Sequence, residues 1–169
     1  FKIGNDIYSE GILESFKNKD VDLSNIIQDA AISTGFSIIL VSFQGDRTVL
    51  AHRGANAQIK KSDINFDAIK KAKLVYIAPL NGNSTKVLDD IVNFAKDNDV
   101  KVCFNAGSSS IKRGFNYIKK ILENAHIVVM NKEEAAMATQ IQVRPDTRDE
   151  KFSEELIHTD IKKMFEKLK

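Results

Sequence analysis

Three short polar stretches each follow an apolar run: Ala78-Pro79-Leu80-Asn81-Gly82-Asn83, Asn105-Ala106-Gly107-Ser108-Ser109-Ser110 and Asn131-Lys132-Glu133-Glu134. Each begins in small or amide residues, and such residues at the carboxyl ends of parallel strands are where open α/β sheets bind ligands. Asn, Gly and Ser are also what plain connections use, so one such loop alone says little; three on one edge point to a small-ligand site. Asn131 has a second role open to it. Asn is a strong helix N-cap, and a Glu three positions later is its capping-box partner, so Asn131 and Glu134 satisfy the first turn of a helix whether or not they touch a ligand.

Other chemistries lack their residues. His52, His126 and His158 lie in unrelated contexts, and the single Cys103 sits in the apolar run Val-Lys-Val-Cys-Phe as a small buried hydrophobe, so no transition-metal cluster and no internal disulfide is indicated. There is no Gly-x-x-x-x-Gly-Lys phosphate loop and no Gly-x-Ser-x-Gly nucleophile elbow.

The elements that must position these loops are legible from periodicity. Leu74–Ile77, Val100–Phe104 and Ile127–Met130 are short apolar runs about 26 residues apart, each followed by a helical pattern, as successive crossovers of a parallel sheet require. The helices are expected over Thr85–Asp97, with Val87, Leu88, Ile91, Val92 and Ala95 inward; over Ile111–Glu123, with Phe115, Ile118, Ile121 and Leu122 inward; and from Asn131 onward. Upstream, Gly4-Asn5-Asp6 caps a first helix carrying Ile7, Ile12, Leu13 and Phe16. Ser37–Phe43 and Arg47–His52 flank the turn Gln44-Gly45-Asp46 as an antiparallel hairpin. Arg144–Glu150 is a polar loop, and Glu154–Lys167 reads as a last amphipathic helix.

Composition narrows the class. The chain has 169 residues, of which 43% are hydrophobic and 28% charged, which fits one globular domain. A net charge of +2 with no like-charge block argues against a nucleic-acid groove or a membrane surface. No apolar run approaches the roughly 20 residues of a membrane span, and no signal-peptide pattern opens the chain, so a cytoplasmic protein is expected. Phe1 rather than Met at the first position reads as a piece of something longer.

In order along the chain, Gly4-Asn5-Asp6 with Tyr8, Val21-Asp22-Leu23-Ser24, Ser33-Thr34-Gly35, Gly45-Asp46-Arg47, Arg53-Gly54-Ala55-Asn56, Asn105-Ala106-Gly107 and Asn131-Lys132-Glu133-Glu134 resemble the pfkB, or ribokinase-like, carbohydrate kinase family. The resemblance reaches to about residue 140. It implies an α/β fold, a ribokinase-like (Rossmann-like) parallel sheet flanked by helices with a small β-sheet lid. It divides the chain into 1–28 (helix and approach to the lid), 29–56 (lid hairpin) and 57–169 (βαβαβα core section).

The activity implied is ATP-dependent phosphoryl transfer to a hydroxyl of a sugar or nucleoside, with magnesium. Asn131, Glu134 and Asn105 then lie on the phosphate and magnesium side, Glu134 acting on the metal through water, in keeping with the oxygen ligands and retained waters of magnesium. Arg53, Asn56 and Gly107 belong to the substrate side or the lid hinge, although Arg53 can equally be a solvated charge at a strand end. Asp6 is mainly structural.

The resemblance also implies a lid that serves as a homodimer contact. Ala106 replaces the family's usual proline and Ser9 a frequent glycine. The family's substrate-binding acid would precede Phe1, and its Gly-Ala-Gly-Asp motif with the catalytic base would follow Lys169, so no catalytic residue is expected within these 169. The alternative is a noncatalytic α/β small-ligand-binding or regulatory module, to be preferred if no such motif follows.

Overall fold

Asp6 decides how the chain begins to fold. Its carboxylate accepts from the backbone N–H of Ser9 (3.0 Å) and of Thr34 (2.7 Å), so one side chain caps a helix and ties down a segment 28 residues away. The Ser9 hydroxyl closes the reciprocal half of the cap on the Asp6 backbone (3.1 Å), so the departure from glycine is absorbed locally. The computed structural model describes residues 1–141 and Glu166. The expected loop at Arg144–Glu150 and the expected helix from Glu154 lie outside these residues except at Glu166, which is helical.

The chain divides into two compact units, Phe1–Phe66 with Leu80–Asp90, and Asp67–Pro79 with Ile91–Lys169. In the first, β1 (Lys2–Gly4) pairs in parallel with β2 (Ile27–Asp29), and α1 (Ile7–Phe16) runs between them. Lys2 is buried and bridges Asp29 (2.9 Å) and Asp63 (3.3 Å), which neutralises an ammonium that burial alone would penalise. On α1, Ile12, Leu13 and Phe16 are half-buried as expected, but Ile7 is 75% exposed. It occupies the first helical position, directly after the cap.

β3 (Phe36–Val41) and β4 (Arg47–His52) form the expected antiparallel hairpin, in register from Phe36 opposite His52 to Val41 opposite Arg47. The first strand ends at Val41 rather than Phe43 because the Ser42 backbone N–H donates to the Asp46 carbonyl (2.8 Å), closing the turn that Gly45 makes at φ +88°. Strand alternation puts Ile38, Leu40 and Leu50 on one face and Ile39, Val41 and Val49 on the other, and all six are exposed. A 3-10 turn, Gly54–Gln58, follows the hairpin, a second covers Lys61–Asp63, and a third covers Gly82–Val87.

In the second unit, β5 (Leu74–Ile77), β6 (Lys101–Asn105) and β7 (Ile127–Val129) form a parallel sheet in that order. Among the described residues the α-helices after α1 include α2 (Phe66–Lys71), α3 (Leu88–Asp97), which begins in the first unit, α4 (Ser108–Ile111), α5 (Phe115–Leu122) and α6 (Lys132–Thr139). Val87, Leu88, Ile91, Val92 and Ala95 are all buried, as their spacing requires, although the first turn of the expected helix is 3-10 and the α-helix proper starts at Leu88. The expected helix over Ile111–Glu123 is broken at Gly114, whose φ of +103° no helix accommodates. Ile118 and Ile121 are fully buried, while Phe115 and Leu122 are half-buried. Cys103 is buried, as expected.

Candidate functional site

The carboxyl edge of the parallel sheet carries the predicted polar loops of the second unit. β6 ends at Asn105, opposite Val129 of β7, and the next residue extends the pairing by donating the Ala106 N–H to the Val129 carbonyl (3.1 Å). The chain then turns sharply, Gly107 N–H donating to the Asn105 carbonyl (3.0 Å). A β-carbon at Gly107 would lie 2.5 Å from Pro79 Cβ, so the loops after β5 and β6 approach each other as closely as only glycine allows. Asn105 itself donates its side-chain Nδ2–H to the Tyr76 hydroxyl (3.0 Å).

Two residues past β7, Asn131 caps α6. Its Oδ1 accepts from Glu134 N–H (2.7 Å), and Glu134 Oε2 accepts from Asn131 N–H (3.0 Å), the complete reciprocal box. One oxygen of the carboxylate is thus committed to the helix, and among the described residues the other has no hydrogen-bond donor. Magnesium is bound through oxygen and keeps several waters, and a carboxylate with one free oxygen on the same sheet edge as Asn105 fits a role as holder of a metal-bound water. It does not fit a complete cage, since among the described residues no group of three His, Cys, Asp or Glu side chains gathers to hold a metal.

The first unit holds Arg53 and Asn56. Arg53 is exposed and precedes the 3-10 turn that Gly54 opens at φ +50°. That turn is pinned to the hairpin's base, with Ala55 N–H donating to the Ser33 carbonyl (2.8 Å) and the Arg53 carbonyl so close to Gly35 that a β-carbon there would lie 2.5 Å away. The Asn56 carbonyl accepts from the hydroxyl of buried Ser84 (2.6 Å), which also accepts from Ile59 N–H (2.7 Å). The return after the hairpin is therefore fixed by backbone contacts and the Ser84 hydroxyl, and the side chains of Arg53 and Asn56 are exposed on it.

Several residues support the site from a distance. Thr34 is fully buried and its hydroxyl accepts from Gly4 N–H (2.9 Å), completing with Asp6 the clamp at the start of the hairpin. The Asp6 carboxyl is held below the usual carboxylate range chiefly by the Thr34 N–H, so Asp6 is structural, as expected. His52 and His126 are structural too. The former meets the Ser33 hydroxyl (2.8 Å), and the latter takes the Val102 N–H on Nδ1 (3.3 Å) while the His126 backbone N–H donates to the Val102 carbonyl (2.8 Å). His158 lies outside the described residues.

Among the described residues no helix is long and apolar enough to cross a membrane. The profile of the pfkB family carbohydrate kinases matches residues 1–165. An uncharacterized sugar kinase of Archaeoglobus fulgidus is 27% identical over 137 residues, covering 80% of this chain and 54% of that protein. Ribokinase of Staphylococcus aureus is 30% identical over 144 residues, 84% of this chain and 45% of that one. The structure of Arabidopsis thaliana ribokinase complexed with ribose and ATP superposes with a TM-score of 0.71 at 16% identity, over 98% of this chain and 50% of that one, a likeness of fold. The chain therefore spans about half the length of the curated relatives it matches.

Proposed function

The chain belongs to the pfkB family of carbohydrate kinases, and from that premise we propose that it supplies the lid and the central sheet of an enzyme that moves the γ-phosphoryl group of ATP to a hydroxyl of a sugar or nucleoside. The observation that carries this is the arrangement at one sheet edge, where Asn105, the glycine-tight turn at Gly107 and the capped Asn131–Glu134 pair follow adjacent parallel strands. In the transfer, the bond from the γ-phosphorus to the bridging oxygen breaks, a bond to the acceptor oxygen forms, and the acceptor's proton passes to a base. That base lies outside these 169 residues.

Phosphoryl transfer is catalysed mostly by positioning and charge stabilisation. The start of α6 carries Glu133 and Glu134, so a helix end that would attract phosphate also repels it. A hydrated magnesium would reconcile the two carboxylates with a triphosphate; Glu134 would hold it through water, and Asn131 fixes the carboxylate. Magnesium, when bound, neutralises charge developing on the phosphate oxygens. Arg53 and Asn56 serve the substrate side or the lid hinge, Gly107 keeps the loop after β6 close against Pro79, and the β3–β4 hairpin acts as the lid. Ribokinase of Staphylococcus aureus and the ribose and ATP in the Arabidopsis structure make ribose and ATP the first ligands to test.

A two-stranded hairpin is marginal alone, and this one is apolar on both faces, which supports a second copy covering one of them. A noncatalytic ligand-binding module is favoured by one observation, that Asn131 and Glu134 already satisfy each other. Replacement of Glu134 by Gln in the whole kinase separates the two, since it spares the cap and removes the charge. A fall in magnesium-dependent turnover without loss of fold supports the kinase role, an unchanged rate leaves Glu134 a helix cap only, and ligand binding with no turnover in the unsubstituted protein supports the module.

A further inference from the structure

Tyr76 and Asn105 share a sheet face. Tyr76 stands opposite Cys103 in the β5–β6 register, and Asn105 is two residues beyond Cys103, so strand alternation points both side chains the same way. The Asn105 amide donates from Nδ2 to the Tyr76 hydroxyl at 3.0 Å. Among the described residues nothing else holds that amide. Its Oδ1 has no partner among the described residues, and the Asn105 backbone is fixed separately by the β6–β7 pairing and by Gly107.

An asparagine amide has a broad, nearly two-fold terminal torsion, so without a partner it presents either its oxygen or its NH2 to a ligand, two opposite chemistries. We propose that Tyr76 is a positioning residue that fixes this torsion. A phenol can take either end of an amide; in the arrangement here it takes an N–H of Asn105, so Oδ1 is the end that remains for the ligand. Asn105 then reads a hydrogen-bond donor, which means the acceptor hydroxyl of the substrate or a magnesium-held water rather than a phosphate oxygen. The phenol keeps its own hydrogen, which gives the same edge a donor for an anionic oxygen. Nothing in the packing demands the hydroxyl, since Tyr76 is 54% exposed and a phenylalanine would fill the same space. This inference rests on Asn105 belonging to the transfer site.

The test is a double-mutant cycle in the whole kinase, with Tyr76→Phe, Asn105→Ala and the pair measured for kcat, KM and melting temperature. One neutral hydrogen bond sets the scale, so Tyr76→Phe alone should lower kcat about 3- to 10-fold with KM within about twofold and melting unchanged. In the Asn105→Ala background the same change should cost nothing further. A Tyr76→Phe enzyme at the wild-type rate while Asn105→Ala is impaired overturns the proposal and leaves Asn105 in the site. So does a Tyr76→Phe penalty of equal size in both backgrounds. If Asn105→Ala turns over normally, Asn105 leaves the site and Tyr76 leaves with it.

Discussion

Replacing Glu134 by Gln changes one atom's chemistry at a position where the cap and the ligand make different demands. The Asn131 Oδ1 to Glu134 N–H bond (2.7 Å) involves only the backbone of residue 134, so it survives. The return bond to Asn131 N–H (3.0 Å) needs only an acceptor, which the Gln amide oxygen supplies. What the helix loses is one negative charge in its first turn, where Glu133 remains. Such a charge is worth about 0.3–1 kcal/mol, and Glu134 is partly solvated, so about 0.5 kcal/mol is the expected loss, or about 1–2 °C in melting temperature.

The rate should respond far more. Removing a carboxylate that orients a metal-bound water typically costs about 10- to 100-fold, equivalent to about 1.4–2.7 kcal/mol. The assay is steady-state phosphoryl transfer across a magnesium titration, with thermal melts of the same preparations. Glu134→Ala gives the complementary case, since it also removes the return bond and adds about 1 kcal/mol of destabilisation. A Gln variant that melts several degrees lower but turns over normally would refute the reasoning, because the cap would then be the whole role of Glu134.

Three further outcomes are expected. Gly107→Ala should push the loops after β5 and β6 apart, costing about 1–3 kcal/mol of stability by overpacking and lowering turnover, as melts and kinetics on one variant will register. The Lys2 cluster should flatten the stability profile at mid-pH. Asp29, held low chiefly by Lys2, and Asp63, held low chiefly by the Lys60 N–H, contribute fully above about pH 4 and lose that contribution as pH falls through their depressed values. Lys2, raised chiefly by Asp29, contributes fully below about pH 10.4 and loses it as pH climbs through its raised value. Lys2→Met should lower stability, because it leaves Asp29 and Asp63 without their cation, and move the acid edge to higher pH in melts run from pH 3 to 11. On the hairpin, Leu50→Glu and Val49→Glu charge opposite faces, and only one should convert a dimer to a monomer in sedimentation; both remaining dimeric would exclude the hairpin as the contact.

Periodic elements were readable before the structure because their signals are local. The hairpin follows from two β-rich runs around Gly45, the parallel sheet from three apolar runs each trailed by a helical pattern, and the α6 cap from a spacing of three between Asn131 and Glu134. What escaped depends on residues distant in sequence. β1 and β2 have three residues each, too few for alternation to register, and Lys2 owes its burial to carboxylates at positions 29 and 63. Ser84, between the polar loop and the expected helix, ties the Asn56 carbonyl to the Ile59 N–H. The break at Gly114 was hidden by apolar residues that keep helical spacing on either side of it. At the candidate site, the loops were visible by composition, but the link from Tyr76 to Asn105 arises from strand register, which no local spacing encodes.

The most direct measurement is magnesium- and ATP-dependent phosphoryl transfer by the whole kinase against a panel of pentoses, hexoses and nucleosides, run beside the purified 169-residue chain. The expected result is transfer to at least one acceptor by the whole kinase and none by the 169-residue chain. Turnover by the 169-residue chain alone would contradict the placement of the base outside it. Binding of a sugar or nucleoside by the whole protein without any transfer would contradict the kinase function itself.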